Sequence, residues 1–163
     1  MRSCPSAIRN ARCRSCPPVG RTRPVARSTT TVGEELLRVH KNYQPLVAKV
    51  PAGMIKGLAH ITGGGLVDNL PRVLPKNCDA MIETKSWPVP RIFKLLQEKG
   101  HVPASEMYQV FNMGIGMVAI VSERHSKRAM SILSAGRTDS SRGERAKRIG
   151  RIERGTGKTR LVF

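Results

Sequence analysis

His60-Ile61-Thr62-Gly63-Gly64-Gly65-Leu66-Val67-Asp68-Asn69-Leu70-Pro71 is the stretch on which the reading of this chain turns. Three consecutive glycines cost more backbone entropy than any other tripeptide, so a fold keeps them where a positive φ or a close backbone approach is required. The short, mostly apolar run before them reads as a strand from Ile55 to Ile61, and Leu66 to Leu70 can open a helix. A junction of strand, glycine loop and helix exposes N–H groups that suit an anion. It serves equally well as a plain tight connection.

On the amino-terminal side, Leu36, Leu37 and Val39 behind two acids predict a short helical turn, and Pro45 sits where a second helix can begin. On the other side, Pro71 to Pro75 can end the helix after the glycines, and Cys78 to Glu83 reads as a strand of mixed polarity. Apolar residues at 92, 93, 95 and 96 predict an amphipathic helix over Arg91–Lys99, closed by Gly100. Ser105 to Phe111 is either a helical turn or an extended arm. The continuous run Gly114 to Val121 predicts a buried central strand. Ser126 to Leu133 predicts a helix with Ala129, Met130, Ile132 and Leu133 inward, and 136–147 a solvated loop. Alternation on either side of Gly155-Thr156-Gly157 predicts a closing two-strand hairpin over 149–162.

Charge separates the middle from the ends. The net charge is +18, but residues 1–30 hold 7 basic and no acidic residues, 31–125 hold 11 and 8, and 126–163 hold 11 and 3. A nucleic-acid partner needs its Lys and Arg gathered on one face, so the charge speaks for the flanks and not for the central domain. An aromatic content of 4% also offers few platforms for stacking bases. Residues 1–30, rich in Arg, Pro, Ser and Thr, are expected to be a disordered basic leader. An organelle transit peptide, a basic arm for nucleic acid, or sequence that is not native coding remain open for that segment. The composition breaks abruptly at Thr31, and 31–163 is expected to be the folded domain.

Cys13-Arg14-Ser15-Cys16 has the spacing of half a zinc site or of a redox pair, but no second pair accompanies it, and Cys4 and Cys78 stand apart. The expectation is reduced thiols, no metal site and a cytoplasmic protein, with an organelle as the alternative if the leader is a transit peptide. No run approaches the roughly 18 to 20 apolar residues of a membrane helix, so no membrane partner is expected. Gly157-Lys158-Thr159 mimics the end of a phosphate-binding Walker loop, but Ile152 stands where its first glycine belongs, and only four residues follow Thr159.

The residues able to carry chemistry gather at two places. His60 is either a satisfied structural histidine or a catalytic donor to a phosphate or amide oxygen. Thr62 offers a hydroxyl and Gly63, Gly64 and Gly65 offer N–H groups, while Asp68 and Asn69 either cap the helix or touch a substrate. Asn112 and Gly114 form a second candidate at the mouth of the later strand. Met113 and Met117 are read as packing.

Lys56 to Pro75, followed in order by Trp87-Pro88-Val89-Pro90, Glu106-Met107-Tyr108 and Phe111-Asn112-Met113-Gly114-Ile115-Gly116-Met117, closely resembles the carboxy-terminal domain of aminoimidazole ribonucleotide synthetase, or phosphoribosylformylglycinamidine cyclo-ligase. Several motifs in series are far more specific than one. The resemblance covers about 31–135 and 148–163. It implies an α+β fold, a mixed β-sheet with packed helices and a partly ferredoxin-like topology. It also implies a ligase of purine biosynthesis that uses ATP and magnesium to close the imidazole ring of formylglycinamidine ribonucleotide, a problem of positioning and phosphoryl transfer. In that reading Thr62, Gly63, Gly64, Gly65, Asp68, Asn69, Asn112 and Gly114 bind the ribonucleotide and His60 is catalytic. Asp68 replaces the glutamate expected of the family, one methylene shorter.

The family's ATP-binding residues lie mainly on an amino-terminal domain, in a motif with aspartate, glycine, alanine and proline that has no counterpart here. The expectation is therefore a fragment that retains the substrate side, holds no cofactor site of its own, and needs a separate ATP-binding domain or a homodimer. Loss of a first strand would leave an exposed sheet edge, prone to pairing. The alternative is a non-catalytic module that binds a ribonucleotide or RNA.

Overall fold

The computed structural model describes residues 31–135 and 146–163; the expectations for the leader, for Cys4, Cys13 and Cys16, and for most of the 136–147 loop lie outside them. The chain divides into one unit ending at Arg38 and another running from Val39 to Phe163. In the first, α1 (Val32–Leu36) starts on a capping box. Thr31 Oγ1 accepts the Glu34 N–H at 3.2 Å, and the Glu34 carboxylate accepts the Thr31 N–H at 2.6 Å. That backbone bond draws the Glu34 carboxyl below its usual range.

The second unit runs α2 (Gln44–Val47), β1 (Ile55–His60), α3 (Gly65–Asn69), a 3-10 turn (Pro71–Val73), β2 (Cys78–Glu83), α4 (Arg91–Gly100), α5 (Ala104–Val110), β3 (Met117–Val121), α6 (Glu123–Ser134), β4 (Gly150–Arg154) and β5 (Thr159–Val162). The α+β class holds, with the strands of the described residues in two small sheets: β1 pairs antiparallel with β3, and β2 lies between β4 and β5. Only the second sheet is mixed, antiparallel to β4 and parallel to β5. The run ending at Val121 is therefore not a buried central strand. All five residues of β3 are half-buried, and β1 is its strand partner.

The closing hairpin does not form either. β4 and β5 take opposite edges of β2, so Gly155 to Lys158 crosses over the end of that strand where Asp79 lies buried. Asp79 Oδ1 accepts the N–H groups of Thr156 at 2.7 Å and Lys158 at 2.9 Å, and Oδ2 accepts Arg160 Nε at 2.8 Å. A β-carbon at Gly155 would fall 2.1 Å from the Asp79 carboxyl carbon, so a side chain there would expel the carboxylate. The loop that mimics a phosphate binder is a nest of backbone donors around an internal anion. The Lys158 N–H, then the Arg160 guanidinium, then the Thr156 N–H hold this carboxyl down at about 2.

Elements β1, α3, β2, α4, α5, β3 and β5 contribute side chains to one buried cluster. Ile61, Leu66, Leu70 and Met107 are its fully buried large side chains, joined by Ala80, Ile82, Trp87, Tyr108 and Met113. The Trp87 indole donates to the Met113 carbonyl at 3.0 Å and meets the Tyr108 ring edge-on at 6.2 Å, which satisfies the polar end of a buried aromatic. Burial raises the Tyr108 phenol above its ordinary value. Ala129 is the buried residue of α6, with Met130, Ile132 and Leu133 half-buried beside it. The helix after Pro90 runs through Gly100 rather than stopping there, and His101 takes the left-handed capping position at φ 52°. Among the described residues, no helix is long and apolar enough to cross a membrane.

Candidate functional site

The loop between β1 and α3 is shaped from within. Asn69 is buried, and its amide nitrogen donates to the carbonyls of Gly65 at 2.8 Å, Gly63 at 3.1 Å and, more weakly, Thr62 at 3.4 Å. Gly65 N–H donates back to Thr62 O at 3.0 Å, and Asp68 N–H to Gly64 O at 3.0 Å. The glycines therefore serve different ends. Gly64 stands at φ 93°, a left-handed conformation that an L side chain rarely adopts. Gly65, at φ 54°, is pressed on α5: a β-carbon there would fall 2.1 Å from Tyr108 O and 2.8 Å from Phe111 O. Gly63 faces open space: no described residue lies within 4 Å of a β-carbon built on it.

That open side is one wall of a cleft of about 600 Å³, lined by Gly63, Gly64 and Asp68 on the loop and by Ser105, Glu106, Gln109 and Val110 on α5. The helix turns Met107 and Tyr108 into the core and leaves Ser105, Glu106, Gln109 and Val110 exposed. The cleft thus offers two carboxylates, a hydroxyl and an amide, and among the described residues no Lys or Arg lines it. Such a lining accepts hydrogen bonds from nitrogen and hydroxyl groups of a ligand. Among the described residues, no three His, Cys, Asp or Glu side chains gather to hold a metal ion.

Of the residues expected from sequence, Gly63, Gly64 and Asp68 meet in this cleft, while Gly65 and Asn69 support it from behind. Thr62 is exposed beside it, its carbonyl turned toward Asn69. His60 faces a second depression, where its Nε2 lies 2.9 Å from His40 Nε2. Asn112 and Gly114 build the turn into β3: Asn112 Oδ1 accepts Gly114 N–H at 3.0 Å, and Gly114, at φ 91°, packs on Pro90. Neither lines the cleft. Sequence reasoning missed Ser105, Glu106 and Gln109. Polar 105 and 109 against apolar 107 and 111, each four apart, was the available helical signal.

A short-stranded α+β domain with a cleft between a glycine loop and a helix is the class that fold and site define. The chain belongs to the family described as AIR synthase related protein, C-terminal domain, whose match spans residues 21–162. It is similar to the phosphoribosylformylglycinamidine cyclo-ligase of Bacillus subtilis (strain 168), 45% identical over 129 residues, which cover 78% of this chain and 36% of the relative. The enzyme of the same name from Syntrophus aciditrophicus (strain SB) is 43% identical over 133 residues, covering 81% of this chain and 37% of the relative. That of Syntrophotalea carbinolica is 47% identical over 110 residues, or 67% and 31%. The chain thus spans about a third of the length of the relatives it matches.

Proposed function

We propose that this chain is the substrate-side portion of a phosphoribosylformylglycinamidine cyclo-ligase, which closes the imidazole ring of formylglycinamidine ribonucleotide at the expense of ATP. The observation that carries the reading is the cleft of Gly63, Gly64, Asp68, Ser105, Glu106 and Gln109, on a chain whose match to the family runs over 21–162. Ring closure is intramolecular, so a protein gains most by holding the amidine nitrogen against the formyl carbon. Gly63 and Gly64 let substrate approach the backbone, and the Asp68 and Glu106 carboxylates accept from its amidine and hydroxyl groups. A ligand phosphate would sit away from these two carboxylates. Magnesium and ATP belong to the amino-terminal portion in this reading.

The partner is then an ATP-binding domain or a second copy, the location cytoplasmic, and the partly ferredoxin-like topology belongs to the same reading. His60 lies apart from this cleft, lining the second depression with His40. The test is ATP-dependent formation of aminoimidazole ribonucleotide by the purified chain, alone and mixed with the amino-terminal ATP-binding portion of a family enzyme. Turnover that needs the mixture, and that E106Q or D68N lowers at least tenfold, supports the reading. No turnover in either arm, with no binding of formylglycinamidine ribonucleotide by calorimetry, overturns it.

A further inference from the structure

We propose that His40 and His60 form a two-histidine site for a divalent transition-metal ion of the Cu2+, Ni2+ or Zn2+ type. Their Nε2 atoms face each other at 2.9 Å, the rings tilted by 56° with centroids 4.9 Å apart. Two imidazoles bound to one tetrahedral ion at about 2.0 to 2.1 Å place their nitrogens roughly 3.3 Å apart. A spread of a few tenths of an ångström therefore converts the hydrogen bond into a chelate. The ring that donates its Nε2 proton in the contact carries that proton on Nδ1 instead, which frees both Nε2 lone pairs for the ion.

Two features hold the rings in place. His60 ends β1, paired with Met117 in the ladder, so its ring has a fixed root. His40 lies against Tyr43, ring edge to face at 5.6 Å, and both cover Gly116. A β-carbon at Gly116 would fall 2.2 Å from the Tyr43 hydroxyl and 3.1 Å from His40 Cε1, so the bare glycine is what lets the pair approach the strand. Both histidines are exposed on an open depression of about 490 Å³, with room for water at the remaining coordination positions. Its lining holds imidazole nitrogens and, among the described residues, no carboxylate or thiol, a donor set that favours Cu2+, Ni2+ and Zn2+ over Mg2+ and Ca2+. Lys41 brings positive charge to the rim, 5.9 Å from the Tyr43 ring centroid, which sets the affinity below that of a closed site.

The test is titration of the full chain with Cu2+ and Ni2+, read by calorimetry and by paramagnetic broadening in proton–nitrogen NMR spectra. One ion per chain is expected, with the resonances of His40, Tyr43, His60 and Met117 lost first. H40Q and H60Q each weaken binding at least tenfold with an unchanged circular-dichroism spectrum, and acidification weakens it in the parent chain. Because His40 lies on an exposed loop, H40Q tests the site even if H60Q fails to fold. Broadening centred elsewhere, such as at the cysteines, or an H40Q variant with parental affinity, overturns the proposal.

Discussion

Asp79 Oδ1 accepts the backbone N–H of Lys158 at 2.9 Å across 79 residues of sequence, and through that bond the last crossing of the chain is tied to the middle of its sheet. The carboxyl is held at about 2 chiefly by the Lys158 N–H, with the Arg160 guanidinium and the Thr156 N–H adding to it. A depressed folded value means that the stabilisation is fully present above the unfolded value, about 4, and is lost as pH falls from there through about 2. Arg160 is 60% exposed, so its pairing is screened and the two backbone bonds dominate. Urea midpoints of the parent chain should exceed those of D79A at pH 7, and the gap should narrow between pH 4 and pH 2. A gap that does not change with pH would refute this account of Asp79.

Gly65 and Gly63 of the loop should separate cleanly under substitution. G65A forces a β-carbon 2.1 Å from Tyr108 O at a φ of 54°, which combines overpacking with left-handed strain. We expect a loss of about 2 to 5 kcal/mol in chemical denaturation. The β-carbon of G63A meets no described residue within 4 Å, and the substitution should change stability by less than about 0.5 kcal/mol. A G63A chain that unfolds as readily as G65A would mean that the loop is not the open wall of the cleft.

Asn69 tests the same loop from inside. N69A leaves carbonyls of the loop without their buried donor, a loss on the order of 1 to 3 kcal/mol. N69D costs more at neutral pH, because it sets a carboxylate against the carbonyl oxygens of Gly63 and Gly65. Thermal midpoints ordered parent, then N69A, then N69D are the expected result.

Much of this architecture was legible because local pattern and tertiary demand agree in it. The Ile55–His60 strand, the helix after the glycines and the amphipathic helix after Pro90 follow from periodicity and punctuation. The closing segment was not legible. Alternation around Gly155-Thr156-Gly157 fits a hairpin as well as it fits two strands on opposite edges of β2. The deciding group, Asp79, lies more than seventy residues earlier and has no local signature. The apolar run of β3 misled for a related reason, since apolar character reports burial against neighbours but not how many strands flank it. Half of the cleft was visible in the glycine loop. The α5 wall was not, because a seven-residue helix carries too few turns for its period to stand out.

The helix end at His101 gives the last test. Glycine at position 100 reads as a stop, yet Gly100 is helical and His101 carries the left-handed cap at φ 52° and ψ 35°. A non-glycine residue there bears a penalty of roughly 1 to 2 kcal/mol, which glycine removes at a cost of about 0.5 to 1 kcal/mol in unfolded-chain entropy. H101G should therefore stabilise the chain by about 0.5 to 1 kcal/mol and raise its thermal midpoint by a few degrees. The His101 side chain is exposed and takes no part in either depression, so no lost contact should offset the gain. A midpoint that falls in H101G would show that the helix does not end in this cap.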